Sequence, residues 1–210
     1  MLDTAAVSDA LDSLGIAGVL AGIRPLVPSV RCCGPAYTVR YRERGASAEF
    51  QGAPNYIDDV PEGAVVVVDN GGRTDCTNWG SLLTEVARSR GIAGTVLHGS
   101  ARDYDEISAG PYPVFCTAVT MVSGKNRVEL DGLQEPIDIA GVEVRPGDYI
   151  VADGNGAIRV PADKVDEVVS RAEQVDRTEA AIAAAVRQGS RLDHARATFN
   201  YARPWDASDG

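Results

Sequence analysis

Ala64-Val65-Val66-Val67-Val68-Asp69 is the stretch on which the fold turns. A short, unbroken run of β-branched residues, too brief for a helix, is the pattern of a strand buried on both faces. Asn70-Gly71-Gly72-Arg73-Thr74-Asp75 follows and reads as a loop. A helix is then predicted from Asn78 or Trp79 to Arg90, with Leu82, Leu83, Val86 and Ala87 on one side, Asn78 or Ser81 as the cap and Gly91 as terminator. Thr95 to His98 is a second buried strand, with Gly99-Ser100-Ala101-Arg102-Asp103 at its carboxyl end. Strand, helix and strand at this spacing form a βαβ unit, so the two strands should be parallel.

Working toward the N-terminus, Pro61-Glu62-Gly63 is a turn, and residues 46–60 read as a weakly bounded helix. Ala36 to Tyr41 alternates as a strand, and 23–35 is an irregular connection punctuated by prolines. The first helix is capped by Asp3 or Thr4, carries Val7, Leu11 and Leu14 on one face and stops at Gly15. Toward the C-terminus, Val114 to Ala118 is a strand and residues 127–144 are strands broken by turns. Tyr149 to Ala152 and Ala157 to Val160 flank Asp153-Gly154-Asn155-Gly156, where Asn-Gly suits a type I′ hairpin turn. Pro161 opens a long helix reaching about Gln188. The organisation is therefore one α/β domain over residues 1–188 and a tail over 189–210, whose Phe199, Tyr201 and Trp205 either dock, on this chain or a neighbouring subunit, or belong to a disordered end.

Composition narrows the function. The 210 residues hold 20 Lys+Arg against 30 Asp+Glu, a net charge of -10, which argues against a nucleic-acid binder. No apolar run is long enough to span a bilayer, and the N-terminus lacks the pattern of a signal peptide, so a cytoplasmic protein without membrane contact is expected. Cys32, Cys33, Cys76 and Cys116 form no C-x-x-C pair and read as structural thiols. With His98 and His194 the only histidines, a zinc centre built on several imidazoles is excluded.

Two places carry chemistry. The helix start at Trp79-Gly80-Ser81-Leu82-Leu83 offers free amides and the positive end of a helix dipole to a carboxylate or phosphate. Arg102-Asp103 lies at the mouth of a parallel strand, where ligands of α/β sheets bind. Arg102 can hold a carboxylate or 2-oxo group, and Asp103 a hard cation such as Mg²⁺ or Mn²⁺. A solvated pair followed by the first helical turn, Asp105 and Glu106, is the plainer reading of the same residues.

Gly80-Ser81-Leu82-Leu83 followed by Gly99-x-x-Arg102-Asp103-x-x-Glu106 resembles the 4-hydroxy-4-methyl-2-oxoglutarate aldolase family, also known through the regulator of ribonuclease activity A (RraA). Val7 to Asp12, Gly34 to Val39, Gly110 to Phe115, Gly141 to Asp148 and Asp153 to Pro161 share the resemblance, which covers about residues 5–175. It implies a single-domain β/β/α swivelling-type sandwich with a long C-terminal helix, assembled as a homotrimer or dimer of trimers with sites between subunits. It further implies that the amides of Gly80, Ser81, Leu82 and Leu83 bind a pyruvyl carboxylate, that Arg102 binds the 2-oxo oxygen, and that Asp103 ligates Mg²⁺ or Mn²⁺. The implied activity is cleavage of a C–C bond in a small 2-oxo acid, by aldol cleavage or decarboxylation of oxaloacetate. A non-catalytic regulatory protein, and a lyase with a divergent substrate, are the alternatives.

Two departures stand out. Catalytic members usually carry Asp or Glu where this chain has Ser81, and commonly Asp where it has His98. Losing a carboxylate around the metal weakens affinity by about 10–100-fold. His98 either replaces the lost acid–base group or is a satisfied histidine at a strand end. Asp176, Glu179 and Asp193 are acidic candidates for a contribution from a neighbouring subunit.

Overall fold

Val65 to Val68 pair in parallel with Ala36 to Val39 on one side and Gly94 to Leu97 on the other, so the valine run lies inside a sheet. The structure, a computed structural model, describes residues 2–45 and 55–206. In chain order its elements are α1 (Thr4–Ser13), β1 (Val19–Leu20), β2 (Arg24–Pro25), β3 (Cys32–Glu43), β4 (Val65–Trp79), α2 (Ser81–Ser89), β5 (Gly94–Ala101), α3 (Tyr104–Ser108) and β6 (Val114–Val119). They continue with β7 (Val128–Leu133), β8 (Ile137–Ile139), β9 (Val142–Val144), β10 (Tyr149–Asp153), β11 (Gly156–Val160), α4 (Val165–Arg187) and α5 (Leu192–Thr198). Nine strands form one sheet in the order β1-β11-β10-β3-β4-β5-β6-β2, with β7 added on β3. Strands β3 to β6 are mutually parallel, and β8 and β9 make a separate hairpin.

Alternation along β4 decides what each face buries. Val66 and Val68 pack with Leu97, Ala87 and Ile107 beneath α2 and α3. Val65 and Val67 pack with Val96, Phe115 and the apolar side chains of the β8–β9 hairpin. Each fully buried valine stabilises the fold by about 1.5–3 kcal/mol relative to leaving it in water. A further core joins α1 to α4 across β10 and β11, through Val7, Leu11, Ile158, Val168 and Ala172. This mixed α/β fold, with its long C-terminal helix, agrees with the architecture expected from the sequence.

Several local expectations change. Residues 70–75 are not a loop: β4 runs on to Trp79, because Arg73, Thr77 and Trp79 find register partners in Gly99, Ser100 and Ala101 of β5. The surplus residues are looped out, and Gly71 and Gly72 reach φ values of 64° and 68° to allow it. The stretch 23–35 is less irregular than it reads, since β2 pairs with β6 and β3 begins at Cys32, paired to β10. Of the helix expected over 46–60, residues 46–54 lie outside the described residues, and the remainder holds a 3₁₀ turn at Ile57–Asp59. In the β10–β11 hairpin Asp153 pairs with Gly156, which places Gly154 and Asn155 at the centre. Neither has positive φ, so the turn is not type I′. Pro161 precedes a 3₁₀ turn at Ala162–Lys164, and α4 follows from Val165.

Asp153 ties that hairpin to the first helix. Its carboxylate accepts hydrogen bonds from the Thr4 backbone N–H at 2.9 Å, the Thr4 hydroxyl at 2.7 Å and the Asn155 N–H at 2.9 Å. Burial alone would raise its pKa, but these bonds and Arg31 at 3.8 Å hold it below the ordinary 3.8. A carboxylate depressed in the folded state contributes stability above its unfolded pKa and loses it as pH falls through the folded value. Asp153→Asn should therefore cost about 1–3 kcal/mol at neutral pH. The gap to the parent should close as pH falls below 3.8. Urea unfolding across a pH series measures it, and a pH-independent gap would overturn the assignment.

The tail docks on its own chain as far as it is described. Helix α5 and the turn Pro204–Asp206 pack on α4, and the Arg171 guanidinium lies 5.9 Å from the centre of the Trp205 ring. Among the described residues, no helix is long and apolar enough to cross a membrane.

Candidate active site

Both sequence-marked places lie at the carboxyl ends of β4 and β5, and the sheet register brings them together. Trp79 ends β4 opposite Ala101, the last residue of β5. The Arg102 N–H then donates to the Trp79 carbonyl at 3.1 Å, pinning Arg102 beside the start of α2. Trp79 itself is buried, and its indole N–H donates to the Thr84 hydroxyl at 3.0 Å, which fixes the first turn of α2 against the strand.

Helix α2 starts at Ser81, later than the sequence suggests, because β4 consumes the residues before it. Its cap is neither Asn78 nor Ser81. Gly80 occupies the cap position with no side-chain bond of its own, and the partner comes from Asp103. Asp103 Oδ2 accepts from the Ser81 backbone N–H at 3.0 Å and from the Ser81 hydroxyl at 3.1 Å, with Arg102 Nε 3.5 Å away. Asp103 adopts φ 58° and ψ 44°, a left-handed conformation that Asp tolerates better than most residues. Gly80 makes the approach possible: a Cβ there would stand 2.6 Å from Asp103 Oδ2 and 3.2 Å from Arg102 Cγ and Nε. Gly91 terminates α2 at φ 68°, as expected.

The amides of Leu82 and Leu83 belong to the first turn of α2 and have no carbonyl one turn earlier to bond. A groove of about 500 Å³ lies between α2 and α3, lined among others by Ser81, Leu82, Thr84, Glu106 and Tyr112, and neither Arg102 nor Asp103 lines it. Arg102 and Asp103 keep 41% and 32% of their side-chain surface accessible, so a solute can reach both.

His98 is not part of this group. Its Nδ1 lies 3.2 Å from Asp69 Oδ1, which also accepts the Gly71 N–H at 2.8 Å. The other ring nitrogen faces Gly72, where a Cβ would come within 3.0 Å. The Asp69 partnership escaped the sequence reading, and the parallel register Asp69↔His98 is the feature that creates it.

Asp176 and Glu179 lie on α4, and Asp193 is bound by Arg191 at 2.9 Å. None of these acids contacts Asp103 within the chain. Burial raises all four thiols, Cys32 to about 12 with the neighbouring Cys33 adding to it and Cys116 to about 11, which disfavours the nucleophilic thiolate.

A divalent cation can be tested against this donor set. Among the described residues no group of three or more His, Cys, Asp or Glu could hold a metal. Among the described residues Asp103 Oδ1 nonetheless has no hydrogen-bond partner while Oδ2 is held. One carboxylate oxygen suits Mg²⁺ or Mn²⁺, which keep several waters, and does not suit zinc.

Residues 4–159 match the RraA-like family, described as Aldolase/RraA. The chain belongs to the RraA-like family. Over 205 residues, 97% of its length, this RraA-like chain is 47% identical to the protein DlpA of Legionella pneumophila, of which it spans only 33%. It is 32% identical over 175 residues to a Halalkalibacterium halodurans protein named "Putative 4-hydroxy-4-methyl-2-oxoglutarate aldolase", covering 82% of this chain and 79% of that one. Among solved structures, an uncharacterized protein from Pseudomonas syringae pv. tomato superposes with a TM-score of 0.86 at 47% identity, over 93% of this chain and 92% of the other.

Proposed function

We propose that this RraA-like chain is a divalent-metal-dependent lyase cleaving a C–C bond in a small 2-oxo acid, a 4-hydroxy-2-oxo acid, oxaloacetate or both. One observation carries the reading: the α2 amide, the Ser81 hydroxyl and the Arg102 guanidinium converge on a carboxylate oxygen, that of Asp103. Donors that hold this carboxylate can hold the carboxylate of a substrate. The aldolase name of the H. halodurans relative supports the same chemistry.

Cleavage of a 4-hydroxy-2-oxo acid passes the 4-hydroxyl proton to water as that carbon becomes a carbonyl. It leaves the electron pair of the broken bond on the pyruvate fragment as an enolate, which takes a proton from water to give pyruvate. Loss of CO₂ from oxaloacetate leaves the same enolate. The amides of Ser81, Leu82 and Leu83 would orient the carboxylate, and Arg102 would donate to the 2-oxo oxygen. Charge grows on that oxygen only as the bond breaks, so a fixed guanidinium favours the transition state over the ground state. A cation on Asp103 would add Lewis-acid stabilisation at the same end of the substrate. His98, oriented by Asp69, would serve as an acid–base group only if a neighbouring subunit or the substrate's far end brings the proton to it. Leu82, Tyr104, Val119 and Met121 are exposed apolar side chains on the elements around the site, which supports a trimer or dimer of trimers covering them.

The test is pyruvate release from 4-hydroxy-2-oxo acids and from oxaloacetate by purified protein. Turnover should appear with Mg²⁺ or Mn²⁺, vanish with EDTA and return on adding metal. No pyruvate from either substrate class with metal present would overturn the reading. It would favour a regulatory role, in line with a Streptomyces coelicolor neighbour described as an unusual member of the RNase ES inhibitor RraA protein family.

A further inference from the structure

We infer that the groove between α1, α4 and the tail docks the α5 helix of a second copy of this chain, while the second copy's groove takes α5 in return. This surface is separate from Arg102 and Asp103, and the inference does not depend on the lyase reading. The groove holds about 400 Å³ and is lined by Val175, Tyr201 and Trp205 together with the carboxylates of Asp9, Asp12 and Glu179. Among the described residues no ion pair neutralises any of these three acids. Burial, with the neighbouring Asp12 and Asp3, pushes the Asp9 carboxyl above its ordinary 3.8, as negative charges crowded together without a cation should.

The complement to this groove borders it. From Arg187 to Arg203 the chain carries four arginines against one acid, Asp193, within a protein of net charge -10. Arg191 is paired with Asp193 at 2.9 Å and Arg203 with Asp206 at 3.7 Å. Arg187 and Arg196 have no carboxylate partner among the described residues. The Arg196 guanidinium lies 4.9 Å from the centre of the Tyr201 ring, and Tyr201 lines the groove, so α5 stands beside it. On α5, Ala195 is buried, while Leu192 and Phe199, at helical spacing to either side of it, remain 47% and 37% exposed. The apolar stripe of α5 is therefore only partly covered by its own chain.

An acidic, aromatic-walled groove beside a basic, half-covered helix complements itself. A twofold axis between the two sets each groove against the α5 of the other copy, and both contacts form together. The arginines then meet unpaired carboxylates and aromatic faces, and Leu192 and Phe199 lose water. A different partner would have to bring the positive charge and the apolar side chains that this chain already presents.

The experiment is sedimentation equilibrium on the whole chain. Asp9→Arg with Asp12→Arg reverses the groove, and Arg187→Glu with Arg196→Glu reverses the helix. All four side chains are exposed, so both variants should fold, which circular dichroism checks. Each variant alone sets like charge against like, so its mass should be about half that of the parent. The two variants mixed in equal amounts, and a chain carrying all four changes, place opposite charges at every contact and should regain the parent mass. Damage to folding would not be repaired by adding further substitutions. If the reversed variants have the parent's mass, or if neither mixing nor the fourfold change raises the mass, a second copy is not the occupant and the inference is overturned. Neither result bears on pyruvate release, which tests the lyase reading separately.

Discussion

Arg102→Met is expected to lower pyruvate release by about 10²–10³-fold at saturating metal, the usual cost of removing one donor to a developing oxyanion. Methionine keeps much of the length and apolar stem but has no charge and no N–H. The backbone of residue 102 is held independently, by its N–H to the Trp79 carbonyl, so the loss should fall on chemistry and not on folding. Arg102 lies at the end of β5 with 41% of its side chain accessible, and its guanidinium is only 3.5 Å from Asp103. The contact between the two charges is too exposed to stabilise the fold by much. The effect should appear mainly in kcat, because the bound substrate lacks the charge that develops on the 2-oxo oxygen as the bond breaks. Arg102→Lys should recover little, as an ammonium cannot reproduce the planar fork. Turnover within about threefold of the parent in Arg102→Met would remove Arg102 from the chemistry.

Asp148→Ala is expected to destabilise the fold by about 3–5 kcal/mol, the largest single effect outside the site. Asp148 is 3% exposed and accepts from Arg159 Nε at 2.7 Å, the Arg145 N–H at 2.9 Å and the Ala162 N–H at 3.0 Å. It therefore closes the turn before β10, pairs a side chain of β11 and receives an amide from the turn leading into α4. Its own carbonyl accepts the Ala36 N–H at 2.7 Å, which carries the connection to β3. Removing the carboxylate strands a guanidinium with 14% of its side chain accessible and leaves two amides without acceptors. A typical domain has roughly 5–15 kcal/mol of stability in total, so the variant should unfold at much lower urea. Replacing Asp148 and Arg159 together by Leu and Met should cost less than Asp148→Ala alone, because no buried charge is left unpaired. A cost below about 1 kcal/mol for Asp148→Ala would show that the turn holds without it.

Much of the site was readable because its parts are local signals. Asn78 to Ser81 before an apolar, helix-periodic segment marks a helix start to within a few residues, and Arg102-Asp103 after a buried run marks a strand end. A βαβ unit puts both at the same edge of the sheet, and they are found there. What could not be read was the partner of each polar group. Asn70 to Asp75 has the composition of a loop, yet β5 supplies the strand pairing that composition says should be absent. Asn78 and Ser81 are good capping residues by type, but Asp103, far along the chain, takes the role. His98 reads as a neighbour of Arg102-Asp103 in sequence, and its side chain turns instead to Asp69.

The amino-acid sequence by itself determined which segments are buried strands and where α2 ends. Those properties depend on apolar periodicity and backbone preference, which act between residues close along the chain. The tertiary structure alone decided that Asp103 folds back onto Ser81, that Gly80 must lack a side chain, and that Asp148 joins β10, β11 and the entry to α4. Hydrogen bonds to a polar group are settled by which donors stand within about 3 Å of it. The register of β4 against β5 brings Ser81 to Asp103, and the pairing of β10 with β11 brings Arg159 to Asp148.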